Sequence, residues 1–333
     1  FRRETKPPVR YILQAVNTTI FTDPQGLMEN IQGVTSHLRK KIQEQGGDPQ
    51  RETLTLVPTR DGKLLYEDSD GGFWRSYLFI ENATCHQSVD RPVLFTNAAK
   101  AFGHFQKLLA DYPADTLHET IADFHNTVNR YELFEKAVAE DKAGRAASVE
   151  KEIRFFLDRK ADGAVVVDAI KEGRLPLRVT HNDTKLNNIM MDNDTDEGIC
   201  VIDLDTVMPG SVLYDFGDSI RFGASTADED EQNLSLVSMD LGLFEAYTAG
   251  FLSEAGASLT DEEIRLLPFS AKLLTLECGM RFLTDYLNGD TYFRIHREHH
   301  NLDRCRTQIT LVADMERKME EMKKIVAKYV NRT

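Results

Sequence analysis

Cysteine is scarce in this chain: four in 333 residues, at Cys85, Cys200, Cys278 and Cys305, with no C-x-x-C pair among them. That spacing argues against a zinc ribbon or a disulfide framework and implies free thiols in a reducing compartment. No apolar run approaches the roughly 18 residues of a membrane helix, and no charged-then-apolar leader precedes the first element. The expectation is a cytoplasmic protein with no membrane partner. Positive charge is also short, with 40 Lys and Arg against 54 Asp and Glu, a net charge of −14. Nucleic acid and anionic membranes demand a basic face, so neither is expected as the main partner. No Cys-x-Pro-x-Arg or Ser-x-Pro-x-Arg string occurs, which removes a sulfatase nucleophile, and there is no internal repeat or low-complexity segment. The chain begins at Phe1 without methionine, so its natural start is expected upstream.

What is present is a hydrophobic content of 41%, enough for one large or two medium domains. One stretch organises the rest: HNDTKLNNIMMDNDTDEGICVIDLD, from His181 to Asp205. His181, Asp183 and Asn188 have the spacing H-x-D-x-x-x-x-N. A phosphoryl-transfer loop uses that spacing to place a carboxylate on the attacking hydroxyl and an amide on magnesium, and Lys185 falls two places after the aspartate. Ile189 to Met191 and Ile199 to Ile202 are β-prone runs separated by turn residues, which predicts an antiparallel hairpin. Its mouth brings Asn188 and Asp203 together, since paired strands lie about 4.8 Å apart. An oxygen-only pair suits Mg²⁺ bridging nucleotide phosphates better than zinc.

Several look-alikes lose to simpler readings. Asp192, Asp194 and Asp196 alternate as in a calcium loop, but Glu197 stands where that loop needs glycine, so a solvated turn is expected. Asp215, Phe216 and Gly217 spell the protein-kinase metal motif yet lie outside the hairpin; Asp215 is expected to cap a helix and brace the catalytic loop through its backbone. His296, His299 and His300 lack a carboxylate placed for a zinc protease.

Taken in order, residues 9–16 read as a strand. Asp23-Pro24 opens a helix carrying Leu27, Ile31, Val34, Leu38 and Ile42, and Gly46-Gly47 ends it. Residues 54–58, 63–67 and 73–80 are strand candidates. This order follows a kinase small lobe, but the glycine-rich loop is not found, and Gln14 occupies the position of the expected strand lysine, with Arg10 or Lys6 as possible substitutes. Phe79 to Ala83 is the expected hinge facing adenine, naming Phe79, Glu81 and Gln14 as nucleotide contacts. Helical patterns dominate from Thr96 onward. Thr260 and Glu263 form a capping box, a helix runs from Phe269 to Leu287 with Glu277, Arg281 and Asp285 at successive i,i+4 positions, and Leu302 to Tyr329 carries an apolar stripe.

The strings YILQ, FHNT, HNDTK with Asn188, VIDLDTVMPG, YDFGDSIR and RFLTDYLNGDTYF together resemble the aminoglycoside phosphotransferase and choline kinase group, most closely the bacterial N-acetylhexosamine 1-kinases. The resemblance implies an α+β, protein kinase-like, two-lobed fold, with a β-rich nucleotide lobe over residues 1–82 and a mainly helical catalytic lobe over 83–333. It implies ATP as co-substrate, Mg²⁺ as cofactor, a small-molecule sugar as partner, Asp183 as base, Asn188 and Asp203 as metal ligands, and Asp205 in support near the nucleotide. His125, Arg130, Arg281, Asp285 and Tyr286 are candidate sugar contacts, combining hydroxyl-binding groups with an aromatic wall. A choline or aminoglycoside kinase, and a non-catalytic pseudokinase, are the alternatives.

Overall fold

The structure is a computed structural model and describes residues 9–330 apart from 88 and 90; Lys6 lies outside the described residues. Three strands, β1 (Tyr11–Ala15), β2 (Tyr66–Glu67) and β3 (Phe73–Leu78), form an antiparallel sheet in the order β1-β3-β2. Against them packs α1 (Pro24–Glu44). Asp23 caps this helix by accepting from Gly26 N at 2.9 Å. Leu27, Ile31, Val34, Leu38 and Ile42 are all buried, each contributing on the order of 1.5–3 kcal/mol by leaving water.

The strands expected over 54–58 and 63–67 are largely absent: only Tyr66–Glu67 forms one. Residues 54–58 still run beside β3, with Val57 N donating to Ser76 O and Leu78 N to Thr55 O, both at 2.9 Å. Pro58 has no amide to continue the ladder, and Thr59 N donates to Lys63 O at 2.8 Å, closing a turn instead.

A short strand, β4 (Ala83–Thr84), leads into a mainly helical lobe that opens with α2 (Pro92–Leu108), α3 (Thr127–Glu140), α4 (Glu150–Leu157) and α5 (Ala164–Lys171). Two small sheets follow. The strand β5 (Arg178–Thr180) pairs with β8 (Met208–Gly210), and the hairpin of β6 (Ile189–Asp192) and β7 (Gly198–Val201) pairs with β4 through β6. The remaining helices are α6 (Val212–Gly223), α7 (Leu241–Ala255), α8 (Asp261–Asn288) and α9 (His300–Val330).

The architecture is the α+β arrangement the sequence implies, and α8 is its axis. Its expected start at Phe269 moves back to Asp261, because the Thr260–Glu263 capping box begins the helix and Pro268 is accommodated inside it. Gly217 lets α6 lie directly on α8: a Cβ there would meet Ser270 O at 2.5 Å. Four described cysteines are all free thiols. Among the described residues no helix is long and apolar enough to cross a membrane.

Candidate active site

The segment from His181 to Asn188 is held rigidly although it is almost all loop. Asp215, in the first turn of α6, aims both carboxylate oxygens at its backbone: His181 N donates to Oδ2 at 3.0 Å and Asn182 N to Oδ1 at 2.8 Å. Gln106 of α2 donates to the same carboxylate at 2.7 Å and to Val179 O at 3.0 Å. Ser211, not Asp215, caps α6; Asp215 is left free for bracing. Asn182 adopts φ 65°, a left-handed conformation that asparagine tolerates better than most residues, and its side-chain amide donates to Thr206 O at 2.8 Å.

His181 is fully buried against Phe102 and Phe105. Its Nε2 donates to Ile202 O at 2.8 Å and its Nδ1 lies 3.3 Å from Asp183 N. The imidazole therefore ties the catalytic loop to the far strand of the hairpin.

Around Asp183 the side chains converge. Lys185 Nζ is 2.6 Å from Oδ1, while Asn188 Nδ2 donates to Oδ2 at 3.0 Å and to the Asp183 carbonyl at 2.7 Å. Burial lowers the Lys185 pKa, but Asp183 and Asp218 outweigh it and the net shift is upward, keeping the ammonium charged. The hairpin forms with Ile189 opposite Val201, and Ile202 N donates to Asn188 O at 2.9 Å, so Asn188 lies opposite Ile202 at its mouth, one residue before Asp203. Asn188 and Asp203 line one cavity of about 340 Å³ with Ile12, Gln14, Leu54, Arg75, Tyr77, Phe79, Ile80, Met190 and Ile202.

Asp203 is left-handed at φ 58°. Burial, followed by the negative charge of Asp205, pushes its carboxyl above the usual range, and Asp183 adds to this while His181 and Arg75 pull it back. Its carboxylate has no donor among the described residues, and Asn188, having turned its nitrogen to Asp183, leaves its Oδ1 without a partner among them. Two hard oxygens beside an excess of negative charge fit a divalent cation. Among the described residues no group of three or more His, Cys, Asp or Glu could hold a metal by itself. Such a site draws its remaining ligands from water or phosphate, as Mg²⁺ sites do.

On the other side of Asp203 lies a second cleft of about 820 Å³, reached also by Asp183, Lys185, His125, Asp218, Arg221, Glu277, Arg281 and Arg304. Its acids are mostly taken. Glu277 accepts from His125 at 2.8 Å and from Thr127 at 2.5 Å; burial pushes its carboxyl up, but His125 and Arg281 pull it net below the usual range. Asp218 pairs with Arg221 at 2.8 Å, and Glu229 with the same guanidinium at 2.8 Å. Arg281 makes no ion pair or hydrogen bond with the described residues and sits among the rings of Phe124, Tyr292 and Phe293, 5.5–5.9 Å from their centroids.

Residues 65–250 match the family model of the phosphotransferase enzyme family (APH). The chain belongs to that family. Solved structures share its fold at low identity. A microcompartment-associated aminopropanol kinase superposes with a TM-score of 0.64 at 16% identity, covering 95% of this chain and 88% of that one. An aminoglycoside phosphotransferase from Alicyclobacillus acidocaldarius gives 0.62 at 13%, covering 100% and 93%. A choline kinase from Cryptosporidium parvum gives 0.55 at 12%, covering 96% and 85%.

Of the residues expected at the site, Asp183, Lys185, Asp203 and Asp205 line the larger cleft, Asn188, Asp203, Gln14 and Phe79 line the smaller cavity, and His181 lies buried behind them. His125 and Arg281 reach the larger cleft as well, whereas the remaining candidates do not. Glu81 lies outside the cavity: its carboxylate pairs with Arg10 at the surface and its carbonyl accepts from Arg51 at 2.5 Å. Asp285 is buried and spent on Tyr292 N at 2.8 Å, Phe293 N at 2.9 Å and Asn301 at 2.9 Å, pinning the loop that carries the cleft aromatics. The expected i,i+4 row of Glu277, Arg281 and Asp285 is therefore no surface ladder. Tyr286 is buried with its hydroxyl 3.0 Å from His299 Nδ1. Arg130 donates to Phe124 O at 2.7 Å and lines a smaller cavity of about 190 Å³ that shares Arg281, Tyr292 and Phe293 with the larger cleft. Arg10, the proposed substitute for the missing lysine, is exposed over Phe79.

Sequence reasoning missed Arg75. It lies opposite Gln14 in the β1–β3 ladder, is 5% exposed, and approaches Asp205 Oδ1 to 2.6 Å. The signal was readable: the two-residue strand period puts Arg75 on the face of Phe73 and Tyr77, and a charge on a buried strand face calls for a partner.

Proposed function

We propose that this phosphotransferase moves the γ-phosphoryl of ATP to the anomeric hydroxyl of an N-acetylhexosamine, GlcNAc or GalNAc, giving the sugar 1-phosphate. The mostly apolar 340 Å³ cavity takes the nucleotide and the 820 Å³ cleft takes the acceptor, with Asp203 common to both. Asp183 orients the acceptor hydroxyl; as its oxygen bonds to the γ-phosphorus, the bond to the β,γ-bridging oxygen breaks, ADP leaves with the electron pair, and the hydroxyl proton passes to Asp183. Asn188 and Asp203 would hold Mg²⁺, which supplies neutralisation of the phosphate charge. Lys185 holds one Asp183 oxygen and Asn188 the other, so positioning carries most of the rate.

The observation behind the acceptor class is Arg281. An amine-bearing acceptor, as the names of the structurally similar aminopropanol and choline kinases imply for those proteins, needs unpaired acids. Here Asp218 and Glu229 pair with Arg221, Glu277 is occupied by hydrogen bonds from His125 and Thr127, and Arg281, with no ion pair or hydrogen bond among the described residues, faces the cleft among three rings. Arg281 disfavours a cation on its side of the cleft and suits a neutral sugar whose acetamido carbonyl accepts from it while the sugar ring stacks on an aromatic. ATP consumption with Mg²⁺ across a panel of N-acetylhexosamines, plain hexoses, amino alcohols and aminoglycosides tests this. Turnover only with the N-acetyl sugars is expected; turnover only with amine-bearing acceptors refutes the assignment.

A further inference from the structure

The small lobe has Gln14 where a phosphate-binding lysine is expected, yet it is not without charge at that place. In the antiparallel ladder Gln14 and Arg75 are direct partners, so both side chains leave the same face of the sheet. Arg75 Nε donates to Gln14 Oε1 at 3.2 Å, and Nη1 lies 2.6 Å from Asp205 Oδ1. Neither Nη1 nor Oδ1 has an aligned hydrogen-bond partner although both atoms are buried. The contact is a charge pair of imperfect angle rather than a bidentate clasp. Nη2 has no partner among the described residues. The guanidinium lines the same cavity as Asn188 and Asp203, facing the place where the phosphate tail passes from base to acceptor.

Resting on the kinase reading above, we propose that Arg75 is the small-lobe cation of this enzyme, moved one strand across from the usual position. It binds the phosphates of the nucleotide directly, and Gln14 is its positioning residue. The amide of Gln14 fixes the guanidinium plane through Nε. Asp205 holds the charge in place before the nucleotide arrives, which spares the cleft an unpaired buried cation. A guanidinium matches phosphate geometry in a way a relocated lysine would not.

The discriminating measurement is calorimetric binding of ADP and of adenosine, in EDTA so that no metal contributes, to the parent protein, R75M, D205N and R75M/D205N. The double variant removes both charges together and leaves neither buried alone, so it guards against a single variant that fails to fold. The expected result is that R75M and R75M/D205N bind ADP at least tenfold more weakly than the parent and D205N respectively, with adenosine affinity unchanged throughout. Placing lysine back on the first strand, in Q14K/R75M, should recover part of the ADP affinity. ADP affinity of R75M/D205N within threefold of that of D205N overturns the role of Arg75 while leaving the kinase reading intact. A parent that binds neither ADP nor adenosine overturns both.

Discussion

Two cavities meet at Asp203 and are made of opposite materials. The nucleotide side is walled by Ile12, Leu54, Tyr77, Phe79, Ile80, Met190 and Ile202, with one buried cation, Arg75. The larger cleft is walled by aromatic rings and by charges that are mostly paired, with Arg281 among those that have no ion pair or hydrogen bond with the described residues. A flat base gains most from leaving water between apolar surfaces, whereas a polyol must exchange every hydrogen bond with water for one with protein. The proposed division of labour follows from this wall chemistry, and variants should separate the two sides.

The largest separation is expected from D183N. Loss of the proton acceptor should cut kcat by about 10²–10⁴ while nucleotide binding stays intact; single-turnover kinetics with parallel ADP titration reads both. Next is R281M, which leaves the nucleotide side alone. The KM for the N-acetyl sugar should rise by about 10–100-fold, with the KM for ATP unchanged, since a charge-assisted hydrogen bond is worth about 1.5–3 kcal/mol. An unchanged sugar KM would remove Arg281 from recognition. G217A should disturb both sides through packing: a methyl 2.5 Å from Ser270 O forces α6 off α8, with a loss of about 1–3 kcal/mol in urea unfolding.

The smallest effect on the comparison belongs to a residue remote from both cavities. Asp314 on α9 accepts from Ser238 Oγ, Met239 N and Lys318 Nζ at 2.7–2.8 Å. Burial pushes its carboxyl up, but these donors hold it down to about 2 from 3.8. A depressed carboxylate pKa adds stability above about pH 4, and that stability fades as pH falls through about 2. D314N should therefore cost about 2 kcal/mol at pH 7 and flatten the acid limb of the stability curve, with both KM values unchanged.

Legibility from sequence followed chain separation. His181 through Asp205 is nearly contiguous, so one hairpin rule anticipates that Asn188 and Asp203 line one cavity, although the register sets Asn188 opposite Ile202. The Asp215 brace was likewise readable, because a carboxylate at a helix start has few other tasks. The acceptor wall was not. Arg281 and Asp285 are one helical turn apart on α8, yet one faces the cleft and the other anchors residues 291–293; nothing in i,i+4 spacing tells which. Glu81 was misread because the hinge carbonyl it would have offered is taken by Arg51, a partner thirty residues away. Arg75 was less legible for the opposite reason: it lies on a different strand from the expected lysine, and its partnership with Gln14 depends on a ladder register that composition does not reveal. The Asp203 conformation, at φ 58°, is likewise invisible in a residue string.

The central claim is transfer to the anomeric oxygen, and phosphorus NMR of the product mixture tests it most directly. With ATP, Mg²⁺ and GlcNAc or GalNAc, the account predicts a new phosphomonoester signal coupled to the anomeric proton, matched mole for mole by ADP and abolished when the sugar carries a 1-O-methyl group. A phosphomonoester that still forms on the 1-O-methyl glycoside, or ATP turnover only with an amino alcohol or aminoglycoside, would contradict it.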